Sequence, residues 1–212
     1  SPDNPGIFNS GDVMYDNTLF FIKKAAHQSK IIAQLGLKGK DYILATVHRP
    51  SNTDSEQRME SILRGMLAIT HKYNLQVILP LHPRTEKMLE RHPNRKLLTQ
   101  LSVDNGIQMI PAVTYLDMIE LEFHARVIIT DSGGVQKEAW FMKKPVLIMR
   151  SETEWTEITE SGNGTLVNAD TDKLVTVTGK YLSETPTKFP EFYGNGDAAG
   201  DILQIVTARS WE

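Results

Sequence analysis

The sequence predicts an α/β protein with a doubly wound, mostly parallel, Rossmann-like sheet, because two patterns alternate along its 212 residues. Short runs rich in Val, Ile and Leu recur, and such continuous apolar runs are typical of strands buried on both faces of a parallel sheet. Segments with apolar residues at helical spacing lie between these runs. Strands that alternate with helices form βαβ units with right-handed crossovers, which cover both faces of the sheet.

The strands and the longest helices are predicted as follows. Strands are expected at residues 42–47, 76–80, 107–110, 127–130 and 145–149, where the runs are largely aliphatic. Helices are expected at residues 55–73 and 115–124, because their apolar residues repeat every three or four positions. The carboxyl ends of all the strands would then lie at one edge of the sheet, where ligands bind in this fold.

Helices are also predicted at the two ends of the chain. One covers residues 17–35 and ends near Gly36, and the other covers residues 197–208. No repeat or linker interrupts residues 36–190. We therefore expect a Rossmann-like domain at 36–190, a lead-in and helix at 1–35, and a C-terminal helical segment at 191–212.

Composition excludes several kinds of function. The formal net charge of −3, with basic and acidic residues interspersed, gives no basic surface for nucleic acid. The absence of cysteine removes thiol nucleophiles and thiolate metal sites. No apolar run reaches the roughly 18 residues of a membrane helix, and no signal peptide is recognisable. We expect a cytoplasmic protein with no membrane partner, and the turn-rich start at Ser1 suggests a processed or shortened chain.

The junction between the fourth strand and the next helix predicts an anion site. Asp131-Ser132-Gly133-Gly134 joins the two elements. The first turn of a helix has unpaired N–H groups and partial positive charge, and glycines let the backbone turn sharply and approach a ligand closely. Ser132 can donate to a phosphate oxygen, and Glu138 can accept from a ribose hydroxyl.

Two alternatives apply to this junction. The glycine pair can be only a tight turn, with Asp131 or Ser132 as the helix N-cap, and the residues alone leave that reading open. The same four letters occur in chymotrypsin-like proteases, but those are disulfide-bearing all-β proteins, whereas this chain has no cysteine. We therefore discard a serine nucleophile.

Basic residues follow three of the five predicted strands. His48 and Arg49 follow the first, His82 and Arg84 the second, and Arg150 the fifth. Such groups at the carboxyl edge of the sheet suit a diphosphate, although each arginine can instead pair with a neighbouring carboxylate. The histidines lie on separate strands and lack the spacing of a zinc site, so we predict no metal.

Taken together, these residues resemble the carboxyl-terminal domain of the non-hydrolysing UDP-N-acetylglucosamine 2-epimerases, which have the two-domain glycosyltransferase-B arrangement. The resemblance covers nearly the whole chain. Its motifs are Thr46-Val47-His48-Arg49 with Asn52, His82-Pro83, residues 131–136 with Glu138, Pro145-Val146-Leu147 with Arg150, Glu152-Thr153-Glu154, Gly164-Thr165-Leu166-Val167 and Tyr193-Gly194-Asn195-Gly196. They occur in the order of the family, and together they are highly specific.

The resemblance implies a role for each motif. Ser132, Gly133 and Gly134 would hold the diphosphate of UDP, with Glu138 on the ribose and Arg150 beside the phosphates. Supporting catalytic roles are implied for His48 and Arg49. Sugar or second-site contacts are implied for seven more residues: Asn52, His82, Arg84, Asp131, Glu152, Thr153 and Glu154.

The implied reaction inverts C2 of an amino sugar, converting UDP-N-acetylglucosamine to UDP-N-acetylmannosamine by elimination of UDP and re-addition, without a cofactor. The acid and base carboxylates would come largely from an amino-terminal domain that this chain lacks, so the chain alone is expected to be inactive. Segments 1–35 and 191–212 would border that domain. The implied partners are UDP, a UDP-N-acetyl amino sugar, the amino-terminal domain and, for the longer protein, a second copy in a homodimer.

Three positions depart from the family pattern. Ser51 and Lys137 stand where a glutamate is usual, and Trp155-Thr156 replaces Arg-Pro. The run Glu152-Thr153-Glu154-Trp155 is similar to the branch that acts on UDP-2,3-diacetamido-2,3-dideoxy-glucuronate, which leaves the sugar open. A glycosyltransferase of the same fold and a non-catalytic nucleotide-sugar-binding domain remain alternative functions.

Overall fold

The chain is built on a six-stranded, entirely parallel sheet in the computed structural model, which describes residues 6–103 and 106–208. The strands are β1 (Tyr42–Thr46), β2 (Gln76–Leu81), β3 (Ile107–Pro111), β4 (Val127–Thr130), β5 (Val146–Ile148) and β6 (Gly164–Leu166). They lie in the order β3-β2-β1-β4-β5-β6. The order reverses between β1 and β4, and this confirms the predicted doubly wound sheet.

The five predicted strands are all present, with ends that differ by one residue at most from the prediction. The sixth, β6, was not predicted, because three residues beginning with glycine give no apolar run. It pairs with β5 through Val146 and Gly164. A Cβ on Gly164 would lie 2.7 Å from Cγ2 of Ile158, so only glycine lets the neighbouring helix pack this closely.

Eleven helices surround the sheet within the described residues. They are α1 (Val13–Gln28), α2 (Ile31–Gln34), α3 (Pro50–Thr53), α4 (Glu56–Tyr73), α5 (Pro83–Arg91), α6 (Arg95–Val103), α7 (Tyr115–His124), α8 (Gly133–Phe141), α9 (Thr156–Glu160), α10 (Thr171–Ser183) and α11 (Ala198–Ala208). The side chain of Ser55 caps α4 and that of Thr114 caps α7, each by accepting a backbone N–H of the first turn.

The predicted N-terminal helix over residues 17–35 is wrong in its bounds and its continuity. The structure has α1, which begins at Val13 after the N-cap Asp12, and a separate α2. The backbone of Ser29 is extended between them, and its hydroxyl donates to Oδ1 of Asp117 at 2.6 Å. A contact with α7, far away in sequence, therefore accompanies the break, and helical periodicity alone does not reveal it.

The core consists of two apolar layers, one on each face of the sheet. On one face, Ile43 and Leu79 pack with the apolar side of α4 and with α10. On the other face, Leu44 and Ile128 pack with α7 and α8. Both faces are buried, which explains why the strands appear as continuous apolar runs.

The first and last described helices pack against each other. The carboxylate of Asp16 on α1 accepts the backbone N–H groups of Ala198 (3.0 Å) and Ala199 (2.8 Å), at the start of α11. This carboxylate caps the start of α11. The predicted division at residues 35 and 190 stays a prediction, and residues 1–5 of the expected turn-rich lead-in lie outside the described residues.

Throughout the part of the chain that the structure covers, no helix combines the length and the apolar character needed to cross a membrane.

One buried carboxyl group in α7 has no hydrogen-bond partner. Glu122 is fully buried, and neither of its carboxyl oxygens is hydrogen-bonded to the described residues. Burial raises the pKa of Glu122 well above its ordinary value of 4.5, and the neighbouring Glu138 raises it further. The protonated form is therefore the stable form in the folded protein, because an unpaired charge is costly in an apolar environment.

We predict that Glu122→Gln changes the pH dependence of stability. The raised pKa means that the folded state binds more protons than the unfolded state above pH 4.5. The free energy of unfolding of the parent therefore falls as pH rises from 4.5 towards the folded-state pKa. Glutamine does not titrate, so the free energy of unfolding of the variant relative to that of the parent should rise as pH rises from 4.5 towards the folded-state pKa.

Urea unfolding across that range measures the effect, and Glu90→Gln, an exposed position on α5, is the matched control. Parallel curves for the parent and Glu122→Gln would contradict a titrating Glu122.

Candidate functional site

The candidate site lies at the carboxyl edge of the sheet, where β1 and β4 are neighbours. Thr46 pairs with Thr130 at the ends of these strands, and their hydroxyl oxygens are 2.6 Å apart. The chain then leaves β1 for α4 on one face and leaves β4 for α8 on the opposite face. The two departing segments diverge and leave a crevice between them.

The buried carboxylate of Asp131 joins the ends of these two strands. Its oxygens accept the backbone N–H of His48 at 3.1 Å, the backbone N–H of Arg49 at 2.9 Å and Nδ2 of Asn52 at 3.0 Å. Asp131 is fully buried. The loop after β1 is therefore held in one position relative to the start of α8 by a charged acceptor and several N–H donors.

Asn52 extends this network to the end of β5 and to α4. Its Nδ2 also donates to the carbonyl of Met149 at 3.0 Å, and its Oδ1 accepts from Nε and Nη2 of Arg58 at 3.1 and 2.9 Å. Asn52 and Asp131 are both fully buried. The sugar or second-site contacts expected of these two residues stay a prediction, and in the structure their buried side chains hold the loop after β1.

The start of α8 has the N-cap that the tight-turn alternative expects, and the anion site stays a prediction. Ser132 is the N-cap, and its Oγ accepts the N–H of Val135 at 3.4 Å. Neither Gly133 nor Gly134 has a positive φ, and a Cβ on either would meet nothing closer than 3.5 Å. The fold does not require glycine here. The missing side chains instead leave the first-turn N–H groups open to a ligand.

Trp155 and Lys137, two of the three departures from the resemblance, contact each other beside this turn. The indole Nε1 of Trp155 donates to the carbonyl of Gly133 at 3.0 Å. The ammonium of Lys137 lies 4.4 Å from the centre of the Trp155 ring and forms an ion pair with Asp12. The tryptophan thus anchors the turn, and the lysine packs over its ring as a cation–π partner.

Arg150 and Arg49 both lie beside the carboxylate of Glu154. Arg150 donates to both carboxylate oxygens of Glu154, at 2.6 and 2.7 Å, and this bonding holds the pKa of Glu154 at about 2. Arg49 lies 3.8 Å from Glu154, and its Nη2 would lie 3.7 Å from a Cβ on Gly133. Two of the predicted basic residues, Arg49 and Arg150, therefore meet at the exposed carboxylate of Glu154, beside the start of α8.

His48 lies next to Asp131 and His82. Its Nδ1 is 3.5 Å from Oδ1 of Asp131, and the centres of the two histidine rings are 5.3 Å apart. Burial lowers the pKa of His48, and the opposing effect of Asp131 does not restore it. A neutral imidazole can accept or donate one hydrogen bond towards a ligand. Within residues 6–103 and 106–208, no group of three potential metal ligands comes together.

Arg84 pairs with a neighbouring carboxylate, which was the alternative to a diphosphate contact. It donates to both oxygens of Asp54 at 2.6 Å and to Thr53 at 2.7 Å, and it lines a separate cavity on the α5 side. His82 is used as the N-cap of α5, where its Nδ1 accepts the N–H of Arg84 at 3.2 Å. The structure therefore does not bring Arg84 to the start of α8.

The remaining predicted residues are Glu138, Thr153 and Glu152. Glu138 is almost buried on α8, accepts the hydroxyl of Tyr115 at 3.1 Å, and has its pKa raised by burial. Thr153 donates to Oε1 of Gln136 at 2.6 Å. Glu152 is exposed after β5.

Two cavities lie on either side of the Asp131 network, and sequence reasoning did not find them. The first, the apolar cavity, measures 190 Å³ and is lined by residues from the ends of β1, β2 and β3 and from α7 and α8, among them His48, Leu81, Val113, Met118 and Val135. The second, the arginine cavity, measures 380 Å³ and is lined by Arg49, Ser51, Arg58, Arg150, Ser151 and Glu152. Arg58 was missed because it lies inside a helix and not at a strand end.

Comparison with known proteins gives the family. A model of the UDP-N-acetylglucosamine 2-epimerase family matches residues 2–207. The chain belongs to this epimerase family. The chain is 38% identical over 96% of its length to a UDP-N-acetylglucosamine 2-epimerase homolog of Methanococcus maripaludis, and it covers 55% of that relative. It is 40% identical over 94% of its length to the UDP-2,3-diacetamido-2,3-dideoxy-D-glucuronate 2-epimerase of Pseudomonas aeruginosa, and it covers 52% of that protein.

Solved structures of epimerases of this family also match the chain. The UDP-GlcNAc 2-epimerase of Methanocaldococcus jannaschii matches with a TM-score of 0.86 at 33% identity, over 96% of this chain and 56% of that one. The same enzyme in complex with UDP-GlcNAc and UDP matches with a TM-score of 0.84. The chain spans about half the length of the curated relatives it matches. These likenesses confirm the predicted doubly wound fold of glycosyltransferase-B type.

We predict that Asp131→Asn destabilises the protein. Asparagine removes the charge and turns an NH₂ group towards donors that already point at this site, so a buried network is left unsatisfied. The free energy of unfolding should fall by about 3 kcal/mol in urea titration. Asp172→Asn, an exposed aspartate in the first turn of α10, is the matched control and should change little. Equal stability of both variants would refute the central role of Asp131.

Proposed function

We propose that the chain forms the UDP-binding half of the active site of a UDP-sugar 2-epimerase. The observation that carries this proposal is the start of α8, where glycines that the fold does not require leave N–H groups open between two converging arginines. Helix N-termini of this kind favour phosphate groups, and guanidinium groups add charge-assisted hydrogen bonds. Membership of the epimerase family gives the chemistry that such a site would serve.

We place the three parts of UDP along this crevice. The diphosphate would lie at Ser132, Gly133 and Gly134, within reach of Arg49 and Arg150. The uracil base suits the apolar cavity, because a flat, mostly apolar ring needs apolar walls with a few polar groups. The ribose would then lie near Glu138, one turn along α8 from Val135, which lines that cavity.

The reaction requires little more from these residues than binding and charge stabilisation. A base removes the proton from C2 of the sugar, and the C1–O bond breaks as UDP leaves with the bonding electrons. UDP then adds back to the glycal-like intermediate as a proton returns to the opposite face of C2. The arginines and the N–H groups of α8 would stabilise the departing UDP. We expect the acid and base carboxylates from a further domain, as the resemblance implies.

Two sugars are candidates for the substrate. UDP-N-acetylglucosamine is suggested by the family model, and UDP-2,3-diacetamido-2,3-dideoxy-glucuronate by the Pseudomonas aeruginosa relative. A glycosyltransferase shares the fold, as shown by the C-terminal domain of a Francisella tularensis glycosyl transferase with a TM-score of 0.56 at 13% identity. Analysis of the product formed by a chain that includes both domains separates these functions, since transfer to an acceptor would exclude epimerisation. The homodimer stays a prediction.

Gly133→Ala should weaken UDP binding without destabilising the fold. An added Cβ would stand 3.5 Å or more from its neighbours, so the helix can accept it, and alanine favours a helix more than glycine does. The methyl group would, however, stand where a phosphate should approach the backbone. Calorimetric titration should show the Kd for UDP rising about tenfold, which corresponds to the loss of about one good hydrogen bond.

Uridine and inorganic phosphate serve as separate ligands in the same titration, because the proposal requires both halves of UDP for full affinity. Gly36→Ala is unsuitable as a control because its φ is +65°, so Ala199→Gly at the start of the distant α11 is used. A chain that does not bind UDP, or a Gly133→Ala variant with unchanged Kd, would reduce the Ser-Gly-Gly segment to a tight turn.

Glu138→Ala tests the ribose contact. If a charged carboxylate accepts a ribose hydroxyl, its removal should weaken UDP binding by about 1.5–3 kcal/mol. Because burial raises the pKa of Glu138, the carboxylate contact should strengthen as pH rises through that pKa, and the pH dependence should vanish in the variant. Calorimetry with UDP and with uridine measures both effects, and inorganic phosphate should bind equally to both proteins. An unchanged affinity for uridine would refute the assignment.

A further inference from the structure

The arginine cavity has more cationic than acidic side chains in its lining, and Glu154, outside the lining, pairs with Arg150 and Arg49 but not with Arg58. Three guanidinium groups line it, those of Arg49, Arg58 and Arg150, whereas Glu152 is its single lining carboxylate. The hydroxyl groups of two serines, Ser51 and Ser151, complete the wall. Such a combination of forked cationic donors and hydroxyl groups suits a planar anion.

Arg58 distinguishes this cavity from an ordinary phosphate site. Its Nε and Nη2 donate only to neutral amide oxygens, those of Asn52 at 3.1 and 2.9 Å and of Asn168 at 2.6 Å. Among the residues that the structure describes, no carboxylate pairs with Arg58, and its Nη1 makes no hydrogen bond. The guanidinium is therefore held in position by its amide partners while one donor nitrogen is left for a ligand.

The position of the cavity along the crevice indicates which part of a ligand would reach it. His48 lines the apolar cavity, and the next residue, Arg49, lines the arginine cavity. Gly133 lies beside Arg49, between the two. With the base in the apolar cavity and the diphosphate at α8, the group attached beyond the diphosphate faces the arginine cavity. In a nucleotide sugar, that group is the sugar ring.

We propose that the arginine cavity binds a carboxylate carried by the sugar, so that the substrate class is a UDP-hexuronate and Arg58 is a specificity-determining residue. This inference rests on the proposed placement of UDP. A C6 carboxylate would accept from Nη1 of Arg58 and share the charge of Arg49. A hydroxymethyl group in the same place would offer no charge, so Nη1 of Arg58 would gain no charge-assisted hydrogen bond.

The test compares two sugars that differ only at C6. UDP-glucuronate carries a carboxylate there and UDP-glucose a hydroxymethyl group, and both are titrated into the chain by calorimetry with UDP as the reference. We expect UDP-glucuronate to bind about tenfold more tightly than UDP-glucose, as a charge-assisted hydrogen bond contributes. Arg58→Gln should bring the two affinities together, whereas Arg58→Lys should retain part of the preference.

Arg64→Gln is the matched control, because Arg64 is exposed on the same helix and pairs with Glu60; it should preserve the full preference. Equal affinity of the parent for both sugars would overturn the carboxylate site and leave the UDP site standing. A variant Arg58→Gln that weakens both sugars equally would limit Arg58 to holding Asn52, and that result also overturns the inference. If UDP itself does not bind, the proposed function fails first and the inference fails with it.

Discussion

The carboxylate of Asp131 is the interaction on which the arrangement of the site depends. At the switch point of a doubly wound sheet, the chains that leave the two central strands go to opposite faces, and nothing in the sheet ladder holds those loops together. Asp131 lies at that point and accepts from the backbone of His48 and Arg49. Its charge is compensated by N–H dipoles, so the loop positions are set before any ligand binds.

The network gives different tasks to side chains that lie close together. Asn52 links Asp131 to Arg58, and through the Met149 carbonyl it also holds the end of β5, just before Arg150. These buried partners have no freedom to follow a ligand. Glu154, in contrast, is exposed and pairs with arginines that would face the phosphates. Because Glu154 itself is exposed, an incoming anion can reach the two arginines and replace this carboxylate as their partner.

The sequence allowed prediction of the fold and the location of the site, because both follow from the strands. Five buried strands are visible as apolar runs, and their ends bring His48, Ser132 and Arg150 to one edge whatever the loop details. Other features depend on contacts between distant segments. The helix break at Ser29 involves a hydrogen bond to α7. The role of Asp131 in holding the loop after β1 was also not predicted, because residue type does not reveal which way a side chain points.

The departures from the family pattern rearrange this site rather than remove it. Taken alone, Lys137 and Trp155 each suggest the loss of a binding group, yet they are in contact, and Trp155 also donates to the carbonyl of Gly133. Lys137 in turn pairs with Asp12, which caps α1. A positive charge is thus retained beside the turn, although it comes from α8 and is held by an aromatic ring. A domain that no longer bound a ligand would not need two glycines that leave the turn open, or a tryptophan indole that hydrogen-bonds to the turn. The coupled contacts therefore favour a retained nucleotide-sugar site, which an epimerase and a non-catalytic nucleotide-sugar-binding domain would both need.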